Sequence, residues 1–357
     1  MTVPDEPEIL CIGNAMVDVF AALDGEHLLC RYGLNQPVQH VEIERLAEII
    51  ANLPTPHTIA SGGGAANVAK IAGFLGAKAS FIGAVGKNAE GNGPDSFGQL
   101  FERDLTAADV NLKLHYKPSP TGICLYLKTG EKTCIAASPS AALLLSESDI
   151  SDDDARSTRI VVVDGYMLGR TSLTRHILEL AAKYGTAVAI DLGAADIASE
   201  NAAEIMDYVN RYPLMLFMNK KEAEAFAKAS TKTAAESFFR EKEEKSEIAF
   251  QRTCSFLQSL TERKTFPVIV LKLGPKGAIC FSEGKSYLAE TEEIVPKEST
   301  GAGDAFCAGF LLAWVRRRPV SECVDMGNQT ARLVLDTAGT AAKSSKFSGL
   351  ADQLKNR

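Results

Sequence analysis

The chain has 357 residues, 46% hydrophobic and 23% charged, which is ample material for one large α/β domain or two. A formal net charge of −7 argues against nucleic acid or an anionic membrane as partner. No apolar run reaches membrane-spanning length, the acidic start Met1–Glu6 has no signal-like core, and the eight cysteines contain no Cys-x-x-Cys pair, so a cytoplasmic protein with reduced, buried thiols is expected.

Strand-like runs alternate with helical patterns along the chain, which predicts an α/β sheet with right-handed crossovers. Residues 8–13 read as a first buried strand, followed by Asn14 and by Asp18 in an otherwise apolar stretch. Residues 20–54 are polar and irregular, without a clean helical pattern. Three glycines, Gly62 to Gly64, precede a helix expected over 67–75, and a strand follows at 79–83. Residues 112–137 read as hairpin strands at 115–117, 123–127 and 133–136. Together with 20–54 they are expected to form a small β flap over the ligand edge of the sheet. Further strands at 159–164, 186–191, 214–219 and 267–272 end in Asp164, Asp191, Asn219 and Lys272, with a helix over 171–184. Ligands of open parallel sheets bind beyond the carboxyl ends of the strands, which makes those four residues site candidates. Residues 228–264 are helical and highly charged, and read as a solvated surface insertion.

The most informative run is Ser299-Thr300-Gly301-Ala302-Gly303-Asp304, which leads into an apolar helix over 305–314. Its small residues allow close backbone approach, and the free N–H groups of a helix N-terminus attract an anion. Asp304 beside such a site is electrostatically misplaced unless it takes a proton from a hydroxyl attacking a phosphate; the plain alternative is helix capping. The run is neither a Walker P-loop nor a dinucleotide fingerprint. Asn14 and Asp18 suit a vicinal diol, because a carboxylate accepts two hydroxyls at once, or they are ordinary strand-end polar residues. Gly63 and Asn67 suit a sugar-like hydroxyl, or a simple turn before a helix. Asn219 and Glu222, three apart at a strand-to-helix turn, suit Mg2+ riding on phosphate through water, or a capping box.

Taken in order, Asn14/Asp18, the Gly62-Gly63-Gly64-x-x-Asn67 helix start, Asn219-x-x-Glu222, Lys272-Leu273-Gly274-x-x-Gly277 and Gly301-Ala302-Gly303-Asp304 resemble the ribokinase-like (PfkB) family of sugar and nucleoside kinases. Residues 82–86, 95–98 and Pro120-Thr121-Gly122 are similar to further family signatures, so the resemblance spans about 9–341. It implies a single domain over 1–357: a ribokinase-like three-layer α/β/α sandwich with a mostly parallel central sheet and a small β lid. It also implies an ATP-dependent phosphotransferase acting on a primary hydroxyl of a sugar or nucleoside, using ATP and Mg2+, with K+ left open. Carried over residue by residue, Asp304 is the general base, and the backbone of Gly301, Ala302 and Gly303 is the anion hole. Asn14, Asp18, Gly63 and Asn67 hold the substrate. Asn219, Gly274, Gly277 and Asn328 serve the nucleotide, with Lys272 a candidate beside them on its own account, and Glu222 serves Mg2+ through water.

Two departures stand out. Glu298 occupies the place where many members have an Asp of a K+ site. Lys272 replaces a small hydroxyl residue, and either contacts phosphate or snorkels as a surface lysine. The sequence after Asp191, the Gly64-Ala65-Ala66 helix start and residues 120–124 lean toward the adenosine-kinase-like branch. The expected partners are the small-molecule substrate and ATP, with no nucleic acid or membrane, in a monomer or a homodimer joined through the lid. Two alternatives remain: a ligand-binding or regulatory protein of the same fold with reduced catalysis, against which the intact Asp304 argues, and a nicotinamide dehydrogenase, which the missing Gly-x-Gly-x-x-Gly disfavours.

Overall fold

Short strands without polar side chains can exist only where both faces are covered, and the first strand shows how this is done. In β1 (Ile9–Ile12), Ile9 and Cys11 point into one apolar layer and Leu10 and Ile12 into the other. The structure, a computed structural model, describes residues 8–25, 27–34, 36–53, 57–130, 132–232, 246–265, 267–292, 294, 300–335 and 344–355.

After β1 come β2 (Met16–Ala22), α1 (His27–Tyr32), β3 (Val38–His40), α2 (Ile43–Ala51), β4 (Thr58–Gly62) and α3 (Gly64–Phe74). The chain continues through β5 (Ala79–Gly86), α4 (Ser96–Thr106), β6 (Val110–Lys117), β7 (Gly122–Thr129), β8 (Lys132–Ser138) and α5 (Asp152–Arg156). Next are β9 (Ile160–Asp164), α6 (Thr171–Tyr184), β10 (Ala187–Asp191), α7 (Ala195–Glu200), α8 (Ala202–Arg211), β11 (Leu214–Asn219) and α9 (Lys220–Lys232). The last described elements are α10 (Ser246–Leu260), β12 (Val268–Lys272), β13 (Ala278–Ser282), β14 (Lys285–Ala289), α11 (Ala302–Val315), α12 (Val320–Leu335) and α13 (Ser348–Lys355).

The large sheet has nine strands in the order β14-β13-β12-β11-β10-β9-β1-β5-β6. From β12 to β6 every pair is parallel, while β13 and β14 add an antiparallel edge. One face packs under α3, α4, α11, α12 and α13, the other under α6, α8, α9 and α10, giving the expected three layers. Helix α11 is apolar all round and buried along nearly its whole length, as such a helix must be.

A second, five-stranded sheet runs β3-β8-β7-β2-β4 and packs Val17, Val19, Ile123, Leu125 and Leu127 against Leu46 and Ile49 of α2. It is the smaller sheet expected as the lid, and its make-up differs from the sequence expectation in three ways. Residues 115–117 belong to β6, which pairs in parallel with β5 in the large sheet. Strand β4 joins the lid instead, antiparallel to β2. Region 20–54 contains a true amphipathic helix, α2, whose Glu44, Arg45 and Glu48 cover the side away from Leu46 and Ile49. The root of the lid is fixed by Asp95, which caps α4 at Gly98 N and also accepts from Thr121 N (2.8 Å) and Thr121 Oγ1 (2.6 Å).

The charged region also departs from expectation. Thr253, Leu257 and Leu260 of α10 are buried, and Phe256 packs on Phe226 of α9 at 5.8 Å between ring centroids. This helix is therefore part of the outer layer, while residues 233–245 lie outside the described residues. Among the described residues, no helix is long and apolar enough to cross a membrane.

Candidate active site

Parallel register brings the polar strand ends into one row. Asp164 of β9 is level with Asp191 of β10, and Asn219 of β11 with Lys272 of β12, all at the carboxyl edge of the sheet. The N-terminus of α11 and the start of α3 lie over the same edge.

The residues expected on the substrate side, Asn14, Asp18, Gly63 and Asn67, come from four segments. Asp18 sits in β2, only 3% exposed, and its carboxylate lies so close to β4 that a Cβ on Gly62 would be 2.2 Å from Asp18 Cγ. Gly63 has φ +98°, and a Cβ there would meet the Asn14 carbonyl oxygen at 2.1 Å, so the loop after β1 and the start of α3 touch backbone to backbone. The Asn14 N–H points at Asp164 Oδ2, 3.4 Å away. Asn67, on the first turns of α3, donates from Nδ2 to Asp304 Oδ2 at 2.9 Å. That bond joins residues 237 positions apart and brings the two most informative sequence motifs together. Among the described residues, the buried oxygens Asn14 Oδ1, Asn67 Oδ1 and Asp164 Oδ1 have no protein partner. Buried polar atoms are rarely left so, and hydroxyl groups of a ligand would satisfy them.

Charge is concentrated here. Burial raises Asp18 to about 7; Lys70 opposes the rise and Asp304 adds to it. Burial likewise raises Asp304 to about 7, with Asp191 adding and the Asn67 bond and Lys272 opposing. Asp164 is lifted by burial to about 6, against the backbone N–H groups of Asn14 and Ala65. A carboxyl group whose pKa is near neutrality is suited to take a proton at physiological pH.

On the side expected to take phosphate, Gly301 has φ +81° and caps α11, whose first N–H groups have no partner within the helix and suit an anion. Lys272 is not a snorkelling surface lysine. Its side chain is 14% exposed, and Nζ donates to both Asp191 oxygens at 2.8 and 2.7 Å. Burial alone would pull its pKa down, but the Asp191 carboxylate more than reverses this and holds it above the ordinary lysine range.

Asn219 and Glu222 make a reciprocal cap: Glu222 N–H donates to Asn219 Oδ1 (3.0 Å), Asn219 N–H to Glu222 Oε2 (2.8 Å), and Asn219 Nδ2 to Glu222 Oε1. Glu222 is buried, and burial raises its pKa. Among the described residues no three His, Cys, Asp or Glu side chains form a metal cage. A single buried carboxylate fits an ion that arrives on a triphosphate and keeps its water shell.

Gly274 and Gly277 flank a tight turn after β12, and Gly277 packs on the Ala289 carbonyl at the end of β14. Asn328 of α12 donates to that same carbonyl at 3.0 Å, so these residues converge at the antiparallel edge of the sheet. Glu298, and with it the K+ expectation, lies outside the described residues.

Sequence reading passed over four residues that the structure places beside these groups. Lys70 is 6% exposed and bonds Ser61 Oγ at 3.1 Å; burial lowers its pKa, while Asp18, Asp104 and Asp304 oppose the fall. The signal was present, since Lys70 is the one charge in the apolar stretch 65–73 and stands three residues after Asn67. Phe20 and Tyr126 stack at 4.6 Å on adjacent lid strands, two residues beyond Asp18 and Cys124 and on the same sheet face. Cys307 of α11 donates its S–H to Asp191 Oδ2 at 3.2 Å.

The chain matches the model of the pfkB family carbohydrate kinases over residues 44–346. It is 26% identical to an adenosine kinase of Schizophyllum commune over 355 residues, covering 94% of this chain and 97% of that relative. Its fold is similar to the crystal structure of adenosine kinase from Sinorhizobium meliloti, with a TM-score of 0.79 at 22% identity over 98% of this chain and 99% of that one. An Anopheles gambiae adenosine kinase in complex with P1,P4-di(adenosine-5) tetraphosphate gives a TM-score of 0.74 at 22% identity, over 96% and 97% of the two chains.

Proposed function

We propose that this chain, which belongs to the pfkB family of carbohydrate kinases, transfers the γ-phosphoryl group of ATP to the hydroxymethyl oxygen of a nucleoside, with adenosine the first acceptor to test. One observation carries the reading: Asp304 stands at the anion turn of α11 and is bonded to Asn67 of the diol-gripping side at 2.9 Å. A hydroxyl held by Asp18 and Asn67 would thus be presented both to a base and to an electrophile.

In the reaction, Asp304 takes the hydroxyl proton as the substrate oxygen forms its bond to the γ-phosphorus. The bond from phosphorus to the β–γ bridging oxygen breaks, and its electron pair leaves with ADP. The phosphate ester departs, and the proton passes from Asp304 to solvent. Gly301, Ala302 and Gly303 offer N–H groups to the charge spread over the equatorial oxygens. Kinases of this family use ATP and Mg2+. In this chain Glu222 would hold the water shell of Mg2+ arriving with the nucleotide, which would supply positive charge against the phosphates. Asn219, Gly274, Gly277 and Asn328 would line the nucleotide's path toward the β12–β14 edge.

Among the relatives, adenosine kinases recur both by sequence and by fold, which supports a nucleoside over a free sugar. The Anopheles complex, whose ligand joins two adenosines through a tetraphosphate, supports one cleft wide enough for a nucleoside and a nucleotide end to end. The test is ADP release from ATP·Mg2+ with adenosine, other nucleosides, ribose and fructose. Adenosine should give the highest kcat/KM; a preference for a free sugar would overturn the nucleoside reading, and no transfer to any acceptor would overturn the whole.

A further inference from the structure

The ammonium of Lys272 lies at a helix end whose own dipole argues against a cation. A Cβ added to Gly303 would be 3.2 Å from Lys272 Nζ, which places the charge at the first turn of α11. The N-terminus of a helix carries partial positive charge of its own, so a lysine there is repelled unless negative charge accompanies it. Asp191 supplies one unit, gripping Nζ with both oxygens, and is itself fixed from the helix side by the Cys307 S–H. The pair is then neutral, and Asp304, the acid of that first turn, is the carboxylate left facing the helix end and Lys272. Stability does not account for the arrangement, because a buried ion pair is commonly matched or bettered by apolar side chains of the same volume.

We propose that Lys272 is a further catalytic residue: aimed by Asp191, its ammonium contacts the transferring γ-phosphoryl group at Gly303 and balances the charge that builds there. Asp191 is the positioning residue. The inference rests on the kinase reading above and deepens it. Lys272 gives up no proton and forms no covalent bond; the bonds made and broken are those of the transfer already described. Its role is electrostatic, as a cation fixed in place before the charge develops.

Three variants test this: Lys272→Met, Lys272→Gln and the double replacement Lys272→Met with Asp191→Leu. Turnover is measured with ATP·Mg2+ and adenosine, or the best acceptor of the wild-type chain. Calorimetry with ADP and with the β,γ-imido analogue of ATP reads binding with and without a γ-phosphate. Lys272→Met should lower kcat by about a hundredfold or more, the scale seen when one oxyanion donor is removed. It should weaken the imido analogue by about tenfold while leaving the Kd of ADP within about threefold, since ADP has nothing at the Gly303 position. The double variant, freed of both buried charges, should regain the unfolding midpoint of the wild type but not its turnover; a structural pair would regain both. Should Lys272→Met not fold, the double variant and Lys272→Gln, which keeps a donor to Asp191 without the charge, carry the test. Turnover within about threefold of wild type in any folded variant overturns the inference alone, as does an equal loss of ADP and imido-analogue binding. A wild-type chain that transfers to no acceptor overturns this inference together with the kinase reading.

Discussion

Asp304→Asn keeps the shape of the side chain and its bond to Asn67, whose Nδ2 can donate to an amide oxygen as readily as to a carboxylate. What it removes is a charge that folding disfavours. Burial moves the Asp304 carboxyl from 3.8 to about 7, so the folded chain binds this proton more tightly than the unfolded chain. The stabilising contribution is fully present below about pH 4 and is lost as the pH rises through 7. Three units at 1.36 kcal/mol each set a ceiling of about 4 kcal/mol at pH 8. Solvent reaches the carboxylate through the cleft and screens part of this, which brings the expected figure to about 2 kcal/mol. Asp304→Asn should therefore be more stable than wild type at pH 8 by about that amount, with the gain shrinking toward zero at pH 4. Turnover should fall by about a thousandfold or more at pH 8, and the gap should narrow in acid as the wild-type carboxyl itself takes up a proton. Urea unfolding midpoints at half-unit steps from pH 4 to 8, paired with single-turnover rates, read both effects. A variant no more stable than wild type at pH 8, or one with a gain that ignores pH, would refute the burial argument; near-normal turnover would refute the base.

Three further outcomes follow from the same geometry. Because Asp304 and Asp18 are both raised to about 7 and Asp304 adds to the rise of Asp18, kcat/KM should drop by about tenfold or more per pH unit on the acid side of neutrality, as a coupled pair; a profile flat to pH 5.5 contradicts this. Gly62→Ala drives a methyl to 2.2 Å from Asp18 Cγ, so it should cost about 1–3 kcal/mol of stability and weaken adenosine by about tenfold. Calorimetry should find its ADP affinity unchanged, and a parallel loss of ADP would place the damage elsewhere. Iodoacetamide at pH 7.5 should modify exposed Cys30 first, since burial raises the other seven thiols, Cys307 the most protected by Asp191 among them. Peptide mass mapping that finds Cys307 or Cys11 alkylated in the native chain would contradict it.

Features set by local pattern were legible in the sequence. The apolar runs ending in Asp164, Asp191, Asn219 and Lys272 are strands, and register places their ends in a row, because buried parallel strands leave no other reading for such runs. The turn before α11 and the glycines before α3 also sit where spacing put them. What escaped depends on which strands pair. Nothing in residues 115–117 distinguishes a lid hairpin from an edge strand of the large sheet, since both alternate partly buried and exposed side chains. Helix α2 was legible and missed: Ile43, Leu46, Ile49 and Ile50 recur at helical spacing and pack on the small sheet, but the polar, irregular residues around them drew the whole region into one reading. The contact of Asp18 with Gly62 needs the antiparallel pairing of β2 with β4, and the grip of Lys272 on Asp191 reaches across β11. Side-chain partners across a sheet are a product of tertiary register, and no local spacing encodes them.

The way the small sheet is attached has a consequence for how the enzyme spends ATP. Asp18 and Gly62 belong to lid strands, whereas Asn67 and Asp304 belong to helices packed on the large sheet. Strand β2 is joined to β1 by Gly13, Asn14 and Ala15, and β4 is joined to α3 by Gly63 alone. A rotation of the small sheet about those links would carry the diol grip away while the base kept its bond to Asn67. Nucleotide could then rest against α11 with no acceptor hydroxyl in line, and a water molecule in that place would lack the carboxylate that holds the sugar. Under the proposed roles, wasteful hydrolysis would thus be limited by where the hinge falls, between Asp18 and Asp304. ADP release from ATP·Mg2+ without acceptor reads that leak directly, and a rate close to that with adenosine would rule the separation out.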